Sequence, residues 1–418
     1  KADTAAALAN AVSDESLFEQ FLTLPDSVEK ATVRAYFADK PTYKARLAAI
    51  EKSDDAGKPL SAATLAELYG DTMTGSYSKL ERFRRCPFSY FCTYTLRLSA
   101  APEGRVGNAE RGNIIHAVLE ELVPEIAARH KAGNPFDEAA LKAAIHAKLE
   151  ELLERMMPNA GSALSGRFAY LFAKTERVLV PLCKLLSDEL AVSRFEPIDF
   201  ELPIGADGAV KPVELALTGG KTLKIVGKID RVDLYRDAHS GKTYLRIVDY
   251  KTGSTKFDLS DIHRGFNLQM LLYLYTLLQN GTSRYGKVYP AGVLYSHVAG
   301  PKIPDGNKVL SESGDGENAD YKADVSGLLV ADADIIFAMD STGSGTYIPV
   351  KLKAGELAES AATLPEDDFF ALLGEASALA SDMACGILRG DKRALPEGAK
   401  AQNPCDYCDY KEICPKAV

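Results

Sequence analysis

An α/β fold with a mixed central sheet flanked by helices is the class that this sequence of 418 residues predicts. The first observation is the order of patterns along the chain: helical periodicity, then a cluster of short alternating runs, then helical periodicity again. The second is that the alternating runs, from Phe195 to Lys251, are broken by Gly and Asp, which is typical of strands joined by turns. The third is the lack of internal sequence repeats. Together they predict a mixed sheet covered by helices.

Residues 1–70 are predicted to form a helical N-terminal extension. They are rich in Ala, Leu, Glu and Lys, with breaks at Pro25, Pro41 and around Gly57–Pro59, and they carry no motif that suggests chemistry. Residues 71–418 are predicted to form the second domain, which ends in a cysteine-rich tail.

The elements of the second domain follow from the spacing of apolar residues. An apolar and aromatic stretch, Tyr77–Leu98, is interrupted at Cys86–Pro87, and a long amphipathic helix is predicted after the glycine-containing loop Gly104–Gly112. Further helices are predicted at 139–157, 165–193, Asn267–Gln279 and 367–388. Strands are predicted at Leu223–Tyr235, Thr243–Lys251, Val288–His297, 326–338 and 346–352, with a polar turn at Asp237–Lys242 and a Gly/Asp-rich loop at 300–320.

Composition limits the class of protein. The chain is 46% hydrophobic and 26% charged, and no run approaches the roughly 18 apolar residues of a membrane helix. It begins at Lys1 without the pattern of a signal peptide, so we expect a cytoplasmic protein without a membrane partner, and a fragment of a longer chain is compatible with this start.

The net charge of −9 argues against indiscriminate coating of DNA, yet it does not exclude a nucleic-acid enzyme. A basic region runs against the overall sign; its members are Lys79, Arg82, Arg84, Arg85, Arg97, Arg105 and Arg111.

The residues that suggest chemistry lie on two neighbouring predicted strands. Asp249 and Lys251 are two residues apart, so on a strand they share a face, and the turn before them can bring Asp230 beside the pair. Two carboxylates suit Mg²⁺ or Mn²⁺, and a neighbouring lysine suits stabilisation of the transition state of phosphodiester hydrolysis. The alternative to a catalytic site is that these residues are solvated charges at turns and strand ends. The hydrophobic run before each Asp argues against this alternative.

Two pairs at helical spacing add weaker signals. Gln269 and Tyr273 can share one helix face just after the predicted hairpin, where they could hold the DNA backbone or the lysine. His116 and Glu120 have the same spacing near the start of the long helix, and His116 could complete a metal site. Each of these residues taken singly is more often an ordinary surface or core polar group.

The seven cysteines do not suggest a disulfide scaffold. Cys405, Cys408 and Cys414 have the spacing of metal ligands, and Cys86, before Pro87, is the candidate for the fourth. Four thiolates suit either Zn²⁺ or an iron–sulfur cluster, and spacing leaves both open. Cys92, Cys183 and Cys385 lie in apolar or helical surroundings and are interpreted as buried thiols.

Several motifs together resemble one family. The start of the predicted second domain resembles the entry to the nuclease domain of AddB-type subunits of bacterial helicase–nucleases. The segments that carry this resemblance are Leu68-Tyr-Gly and Tyr77-Ser-Lys-Leu-Glu-Arg-Phe-Arg-Arg-Cys86-Pro. The motifs that follow in family order are Gly112-Asn-Ile-Ile-His116, Gly227-Lys-Ile-Asp230-Arg-Val-Asp233, Asp249-Tyr-Lys251-Thr-Gly253, Gln269-Met-Leu-Leu-Tyr273 and the Cys-x2-Cys-x5-Cys tail. The likeness covers about residues 60–418.

This resemblance implies a PD-(D/E)XK nuclease fold with Asp230 and Asp249 as metal ligands and Lys251 as a catalytic residue. It implies His116 as a further metal-site residue and Gln269 and Tyr273 as accessory. It also implies a [4Fe–4S] cluster on Cys86, Cys405, Cys408 and Cys414, which favours iron–sulfur over zinc. Family members act on DNA in double-strand-break repair, beside an AddA-type helicase–nuclease partner.

One departure from the family concerns ATP. The sequence has no Gly-x4-Gly-Lys-Ser/Thr phosphate loop, so we expect this chain not to hydrolyse ATP and to correspond to the C-terminal part of a longer subunit. A stand-alone relative, akin to the iron–sulfur exonucleases of CRISPR adaptation systems, is the other interpretation of the same motifs; the long N-terminal match and the segment Gly327–Asp340 favour the repair subunit. A non-catalytic DNA-binding scaffold and a zinc-organised interaction domain are the alternative functions.

Overall fold

The computed structural model describes residues 11–24, 27–51, 58–99, 108–156, 166–251, 257–297, 324–358, 360–399 and 403–415.

Four helices open the described chain. Ser13 and Ser27 precede the first two, and each hydroxyl accepts a backbone N–H of the first turn, which satisfies a donor that the helix leaves free. Pro41 occupies the first position of the third helix, where its missing N–H costs nothing, so this proline begins a helix. The helices are α1 Asp14–Thr23, α2 Val28–Ala38, α3 Pro41–Glu51 and α4 Ala62–Tyr69.

The first three helices enclose a small core of their own. Its buried members are Phe18, Phe21, Val33, Phe37 and Leu47. Helix α4 lies against a different part of the protein, because the Leu60 N–H just before it donates to the Gly390 carbonyl at 3.0 Å. The helical character predicted for residues 1–70 is confirmed where the structure describes them, and the domain boundary at residue 70 stays a prediction.

Ten further helices belong to the second part of the described chain. A π-helical turn, Phe91–Thr95, follows the second of them. The helices are α5 Tyr77–Arg85, α6 Pro87–Tyr90, α7 Asn108–Lys131, α8 Glu138–Met156, α9 Gly166–Val192, α10 Leu259–His263, α11 Gln269–Asn280, α12 Thr282–Tyr285, α13 Ala333–Met339 and α14 Glu366–Leu388.

The strands form one large mixed sheet and two small sheets. They are β1 Thr72–Gly75, β2 Glu196–Ile204, β3 Glu214–Ala216, β4 Thr222–Ile225, β5 Gly227–Arg236, β6 Thr243–Lys251, β7 Val288–His297, β8 Asp324–Val330, β9 Leu352–Lys353, β10 Glu356–Leu357 and β11 Thr363–Leu364. The large sheet has the order β11-β8-β7-β6-β5-β2, with β6–β7 and β8–β11 parallel and the other pairs antiparallel. The predicted mixed sheet is therefore confirmed.

Helices cover both faces of this sheet. On one face, α11 and α14 pack with α5 over a core that includes Leu271, Tyr273 and Leu373. On the other, the long helices α7, α8 and α9 pack over a core that includes Leu122, Ile145 and Leu179. All of β6 between its two end residues is buried, as a central strand covered on both faces requires.

The predicted strand Leu223–Tyr235 is two strands in different sheets. Thr222–Ile225 pairs with β1 and β3 in a three-stranded sheet, and Gly227–Arg236 belongs to the large sheet. The Val226 N–H still donates to Gly75 of the small sheet at 3.1 Å, so the chain changes sheets at Val226. Both halves alternate in the same way, and periodicity alone could not show the change.

The strand predicted near 326–338 is confirmed for residues 326–330 and wrong beyond them, and the strand predicted near 346–352 is wrong. Strand β8 ends at Val330, and Ala333–Met339 is helical because the Asp332 carboxylate caps it by accepting from Asp334 N and Ile335 N. Residues 346–351 contain no strand, and only Leu352 of the predicted 346–352 belongs to one, the two-residue β9. Ile348 and Val350 are buried in the core under the long helices, so their apolar character reflects packing.

Helix α14 is long and apolar enough to cross a membrane by length and composition, although half of its most apolar window is buried inside the protein. Its residues Phe369, Leu373 and Ala380 are fully or almost fully buried against the sheet. Core packing accounts for its composition.

A network of buried charges joins the two central strands to helix α9. Arg231 and Arg246, both 0% exposed, each bond to Asp233 at 2.8 Å. Both guanidinium groups also bond to Glu189 Oε1 on α9, at 2.9 and 2.6 Å. These side chains lie on the face of β5 and β6 opposite Val232 and Ile247, and they connect both strands to α9.

Candidate active site

The site lies at the point where β5 and β6 separate, which is called the fork below. The ladder of these strands runs from the pair Arg236–Thr243 to the pair Arg231–Val248, and the residues just beyond its last pair are Asp230 and Asp249. The Tyr250 N–H, freed from the ladder, donates instead to Asp230 Oδ2 at 2.9 Å. The hairpin therefore brings Asp230 beside Asp249, as the sequence predicted.

Lys251 and Asp249 share one face of β6. The Lys251 Nζ lies 2.8 Å from Asp249 Oδ2 and 5.7 Å from the centre of the Tyr295 ring. The contact is an ion pair by distance, but it lacks hydrogen-bond geometry, and Asp249 Oδ2 is buried without a hydrogen-bond partner among the described residues. A buried acceptor left in this state is costly unless a further donor or a cation meets it.

Burial raises the pKa of the Asp230 carboxyl to about 8. The neighbouring Asp249 carboxylate adds to this rise and Glu201 contributes, while the Tyr250 N–H and the Lys251 ammonium oppose it. A carboxyl with such a pKa keeps its proton at neutral pH unless extra positive charge is present.

His116 and Glu201 complete the cluster. His116 Nδ1 lies 3.4 Å from Asp230 Oδ2 and 4.0 Å from Glu201 Oε1. One ligand atom from each of the three residues falls within 4.8 Å of the other two. Helix α7 supplies His116, β2 supplies Glu201 and β5 supplies Asp230, so three separate elements converge on one point.

Sequence reasoning missed Glu201. The pairs Phe200–Arg231 and Leu202–Ile229 flank it, so the register of β2 on β5 sets it opposite Asp230. Its backbone has a φ of +48°, a left-handed conformation that costs energy for a residue other than Gly and often marks a functional position. An acidic residue within an alternating strand was the only signal in the sequence.

The Glu201 carboxylate also meets a lysine. Its Oε2 lies 2.6 Å from Lys228 Nζ, and the same ammonium lies 3.9 Å from Glu120 Oε2. Glu120 and His116 thus share a face of α7, as their spacing predicted, and both face the start of β5.

These residues fit a divalent cation. Carboxylate oxygens and an imidazole nitrogen are ligands for Mg²⁺ and Mn²⁺. The buried Asp249 oxygen, which lacks a hydrogen-bond partner in the described part of the chain, and the raised pKa of Asp230 both indicate a deficit of positive charge. A cation between these groups would correct both.

Gln269 and Tyr273 share one face of α11, as predicted from their spacing. Gln269 Nε2 donates to the Tyr273 hydroxyl at 3.5 Å, and burial raises the pKa of that hydroxyl while Gln269 and the Lys228 N–H oppose the rise. Tyr273 is only 4% exposed and packs directly on the backbone of Gly227, where any Cβ would lie 2.0 Å from the hydroxyl oxygen. It supports the strand that carries Asp230.

The four cysteines Cys86, Cys405, Cys408 and Cys414 all line one cavity of about 330 Å³. Arg82 and Arg85 line it as well, together with the acidic Glu81 and Asp409, and Arg85 is paired with Glu81. Burial raises the pKa of the Cys86 thiol. Cys92, Cys183 and Cys385 are buried, as predicted for core thiols.

The predicted basic region is largely occupied by contacts within the protein. Arg82 donates to Ser89 and Thr93, Arg84 pairs with Glu397 at 2.6 Å, and Arg85 pairs with Glu81 at 2.8 Å. Lys79 lies 5.5 Å from the ring of Tyr94. Arg105 and the Arg111 side chain lie outside the described residues.

Comparison with known proteins agrees with this geometry. The family profile of the PD-(D/E)XK nuclease superfamily matches residues 74–415. Three similar proteins are each named as the B subunit of an ATP-dependent helicase/deoxyribonuclease. That of Alkaliphilus metalliredigens is 33% identical over 83% of this chain and 30% of its own length. Those of Bacillus pumilus and Ruminiclostridium cellulolyticum are 32% and 30% identical, over 85% and 91% of this chain and 31% and 33% of their own lengths.

The chain thus spans about a third of the length of these relatives. The profile match contains every element of the fork, from His116 on α7 to Tyr273 on α11. The chain belongs to the PD-(D/E)XK nuclease superfamily.

Proposed function

We propose that this chain is the nuclease part of a helicase–nuclease complex and that it hydrolyses phosphodiester bonds of DNA with a divalent cation. The observation that carries the proposal is the convergence of Asp230, Asp249 and Lys251 at the fork of β5 and β6, with His116 beside them. This set joins hard metal ligands to a cation that can stabilise a transition state.

Asp230, Asp249 and His116 are the proposed ligands of Mg²⁺ or Mn²⁺. His116, Asp230 and Glu201 form the compact cluster of possible ligand atoms, and Asp249 lies outside that cluster, beside Asp230 at the fork. When bound, the ion would polarise the scissile phosphate and acidify the attacking water. The Tyr250 N–H keeps one Asp230 oxygen in a fixed direction, which reduces the freedom that binding has to remove.

Lys251 is the proposed catalytic residue. Its ammonium lies beside Asp249, and the ring of Tyr295 borders it, so the charge is held at the site. Negative charge that develops on the phosphate oxygens would meet this ammonium, which requires little rearrangement because the side chain is already in place. Gln269 and Tyr273 are proposed accessory residues that keep α11 and the start of β5 in register.

We propose that Cys86, Cys405, Cys408 and Cys414 hold a [4Fe–4S] cluster. Their shared cavity supports this site, since all four thiol-bearing residues line it. Anaerobically prepared protein is expected to be brown, and Cys405→Ala to lose the colour and to unfold at lower temperature. Zinc without iron or labile sulfide would contradict the cluster and support the zinc site.

The partners follow from the names of the relatives, since a protein named as one subunit of a helicase/deoxyribonuclease works within a complex. We propose an AddA-type helicase–nuclease as the partner, DNA as the substrate, double-strand-break repair as the process and the cytoplasm as the location. In this proposal the present chain supplies a nuclease active site of that complex.

The deciding experiment is cleavage of end-labelled single-stranded DNA by cluster-bearing protein with Mg²⁺, with EDTA, and with Lys251→Ala. Cleavage that requires both Mg²⁺ and Lys251 is expected, and the label gives its polarity. Equal cleavage by Lys251→Ala would exclude the catalytic assignment. Binding of DNA without cleavage would favour the scaffold function.

A further inference from the structure

The loop before α11 rests on the helix that leads to Cys86. This loop, Arg264–Leu268, contains two residues with left-handed backbone, Gly265 at φ +88° and Asn267 at φ +58°. Gly and Asn are the residues that adopt this conformation most readily, so the sequence Gly265-Phe-Asn267 suits a tight change of direction before α11. Its position matters because Gln269 follows at once and begins the helix that carries Tyr273.

Tyr77 on α5 supports this loop from below. Its side chain is 2% exposed. The hydroxyl donates to the Gly265 carbonyl at 3.5 Å, and the neighbouring Leu268 N–H opposes the rise that burial causes in the pKa of Tyr77. Leu268 is the N-cap residue of α11 and has no capping side chain of its own, so the Tyr77 hydroxyl lies beside the backbone at the start of that helix.

Phe266 anchors the middle of the same loop. It is fully buried, and its ring centre lies 5.7 Å from the guanidinium carbon of Arg84 and 5.5 Å from those of Arg85 and Arg264. Attraction between guanidinium groups and an aromatic face is favourable at this range. Arg85 also lines the cysteine cavity, so one residue contacts both the cavity and the loop.

Arg84 joins the loop to residues 389–399, the strap that leads to the cysteine tail. Its Nε donates to the Arg264 carbonyl at 2.6 Å, and its Nη1 lies 2.6 Å from Glu397. The Glu397 carboxylate also lies 3.6 Å from Arg264. The strap is fixed to α5 and α6 through the backbone, since Glu397 N–H donates to the Arg85 carbonyl and Phe88 N–H to the Arg393 carbonyl.

These contacts form one continuous path. The cysteine cavity contacts α5; α5 holds the loop at Tyr77 and Arg84; and the loop sets the start of α11. Helix α11 in turn presses Tyr273 on Gly227, three residues before Asp230. Hydrogen bonds, an ion pair and buried ring contacts join α5 to the loop and the strap, and Tyr273 packs on Gly227.

We propose that a filled four-cysteine site positions the catalytic helix α11, and that Tyr77 and Arg84 are the positioning residues that transmit this effect. The proposal rests on the proposed nuclease function and adds to it a dependence of the cutting centre on the cysteine site. Neither residue touches the reacting atoms; each acts through Gln269 and Tyr273.

The test uses Tyr77→Phe and Arg84→Gln in the whole chain, prepared anaerobically, with visible absorption used to verify that the cysteine site is filled as in the unaltered protein. Tyr43→Phe is the matched control, because its hydroxyl donates to Glu15 at 3.0 Å in the separate N-terminal core. Two readouts are taken: steady-state cleavage of single-stranded DNA with Mg²⁺, and amide hydrogen exchange of residues 266–273.

We expect Tyr77→Phe to lower kcat about three- to tenfold with KM unchanged, as for loss of one buried hydrogen bond that orients the site. Exchange at 266–273 is expected to rise while α9 is unaffected. In a Gln269→Ala background the Tyr77→Phe effect on kcat is expected to shrink, because both changes act on the same helix. Tyr43→Phe is expected to change none of these.

Stripping the cysteine site with a chelator is expected to raise exchange at 266–273 as Tyr77→Phe does. Unchanged exchange at 266–273 in the stripped protein would overturn the proposal, and so would unchanged exchange in Tyr77→Phe or a full, additive loss of kcat in the Gln269→Ala background. If the unaltered protein does not cut DNA, the proposed nuclease function fails, and the exchange measurement still decides whether the cysteine site positions α11.

Discussion

The Tyr250 N–H donates to Asp230 Oδ2 at 2.9 Å, one residue beyond the last pair of the β5–β6 ladder. This bond replaces the next ladder bond and fixes a carboxylate at the point where the strands separate. The same fork leaves Asp249 buried and incompletely paired among the residues that the structure describes. The fold therefore places the Asp230 carboxyl where burial and the neighbouring Asp249 carboxylate both raise its pKa.

The first prediction concerns Lys251. Lys251→Met, which keeps the stem and removes the charge, is expected to lower kcat for DNA cleavage by at least about a hundredfold. Binding of Mn²⁺ should change little, since the lysine is not a ligand. Lys242→Met, which removes a lysine paired with Glu366 outside the fork, is the control and should cleave normally. A Lys251→Met protein that cleaves like the control would exclude the lysine from catalysis.

The second prediction concerns pH. Unfolded Asp230 releases its proton at its ordinary value near 3.8, whereas the folded carboxyl holds it up to about 8. The folded state binds more protons in this window, so the free energy of unfolding of metal-free protein should fall as pH rises from about 4 to about 8.

Asp230→Asn should remove part of this slope and raise the melting temperature of metal-free protein at pH 8. The measurement is thermal unfolding in EDTA at several pH values, with exposed Asp188→Asn as the control. Parallel pH profiles for Asp230→Asn and the unaltered protein would contradict the raised pKa.

The third prediction concerns Glu201. If the carboxylate contacts the bound cation, Glu201→Gln should weaken Mn²⁺ binding about tenfold, because a neutral amide oxygen is the poorer ligand. Binding can be followed by the paramagnetic resonance of free Mn²⁺. Glu214→Gln, which loses only an exposed pair with Lys224, should bind Mn²⁺ normally. Equal affinity in both variants would leave Glu201 as the partner of Lys228 alone.

The fourth prediction concerns the buried network behind the fork. Glu189→Gln leaves two fully buried guanidinium groups with only Asp233 as a charged partner in the described chain, and breaking such a set by removing one member costs about 3 kcal/mol or more. Urea unfolding should show this loss. Glu196→Gln removes an exposed pair with Lys131 and should change the free energy of unfolding by less than about 1 kcal/mol. Similar losses in both would contradict a structural role for the network.

Whether the sequence predicts that two site residues lie together depends on how close those residues are in the chain. Asp249 and Lys251 lie two residues apart on one strand, and Gln269 and Tyr273 four apart on one helix, so local periodicity placed each pair on a common face. Glu201 reaches Asp230 only through the register of β2 on β5. Periodicity does not encode register between distant strands, and this is why Glu201 was missed.

The same limit explains why the strand predicted at 326–338 is wrong beyond Val330. Ile335-Ile-Phe-Ala-Met is a short apolar run that suits a strand or a buried helix equally. In the structure Asp332 caps the N-terminus of a helix here. A single Asp in the sequence is a weak signal of such a cap, because Asp is also common in turns between strands. Tyr77 shows the limit again, since its contact with Gly265 and Leu268 spans most of the nuclease region.

The last prediction concerns Gly227, where β5, the strand that carries Asp230, meets α11. A Cβ at this position would lie 2.0 Å from the Tyr273 hydroxyl oxygen and 2.6 Å from the ring carbon that bears it. Tyr273 is buried and cannot swing away into solvent, so Gly227→Ala must displace either α11 or the start of β5. We expect a loss of about 1–3 kcal/mol in the free energy of unfolding and a larger proportional loss of DNA cleavage.

Gly374→Ala on α14, where a Cβ meets nothing within 4 Å, is the matched control and should be neutral or slightly stabilising. In the double variant Gly227→Ala/Tyr273→Leu, the smaller side chain at position 273 leaves room for the Cβ at position 227. The double variant should therefore be more stable than the sum of the two single losses predicts. Strict additivity in urea unfolding would show that Gly227 is required for a reason other than Tyr273.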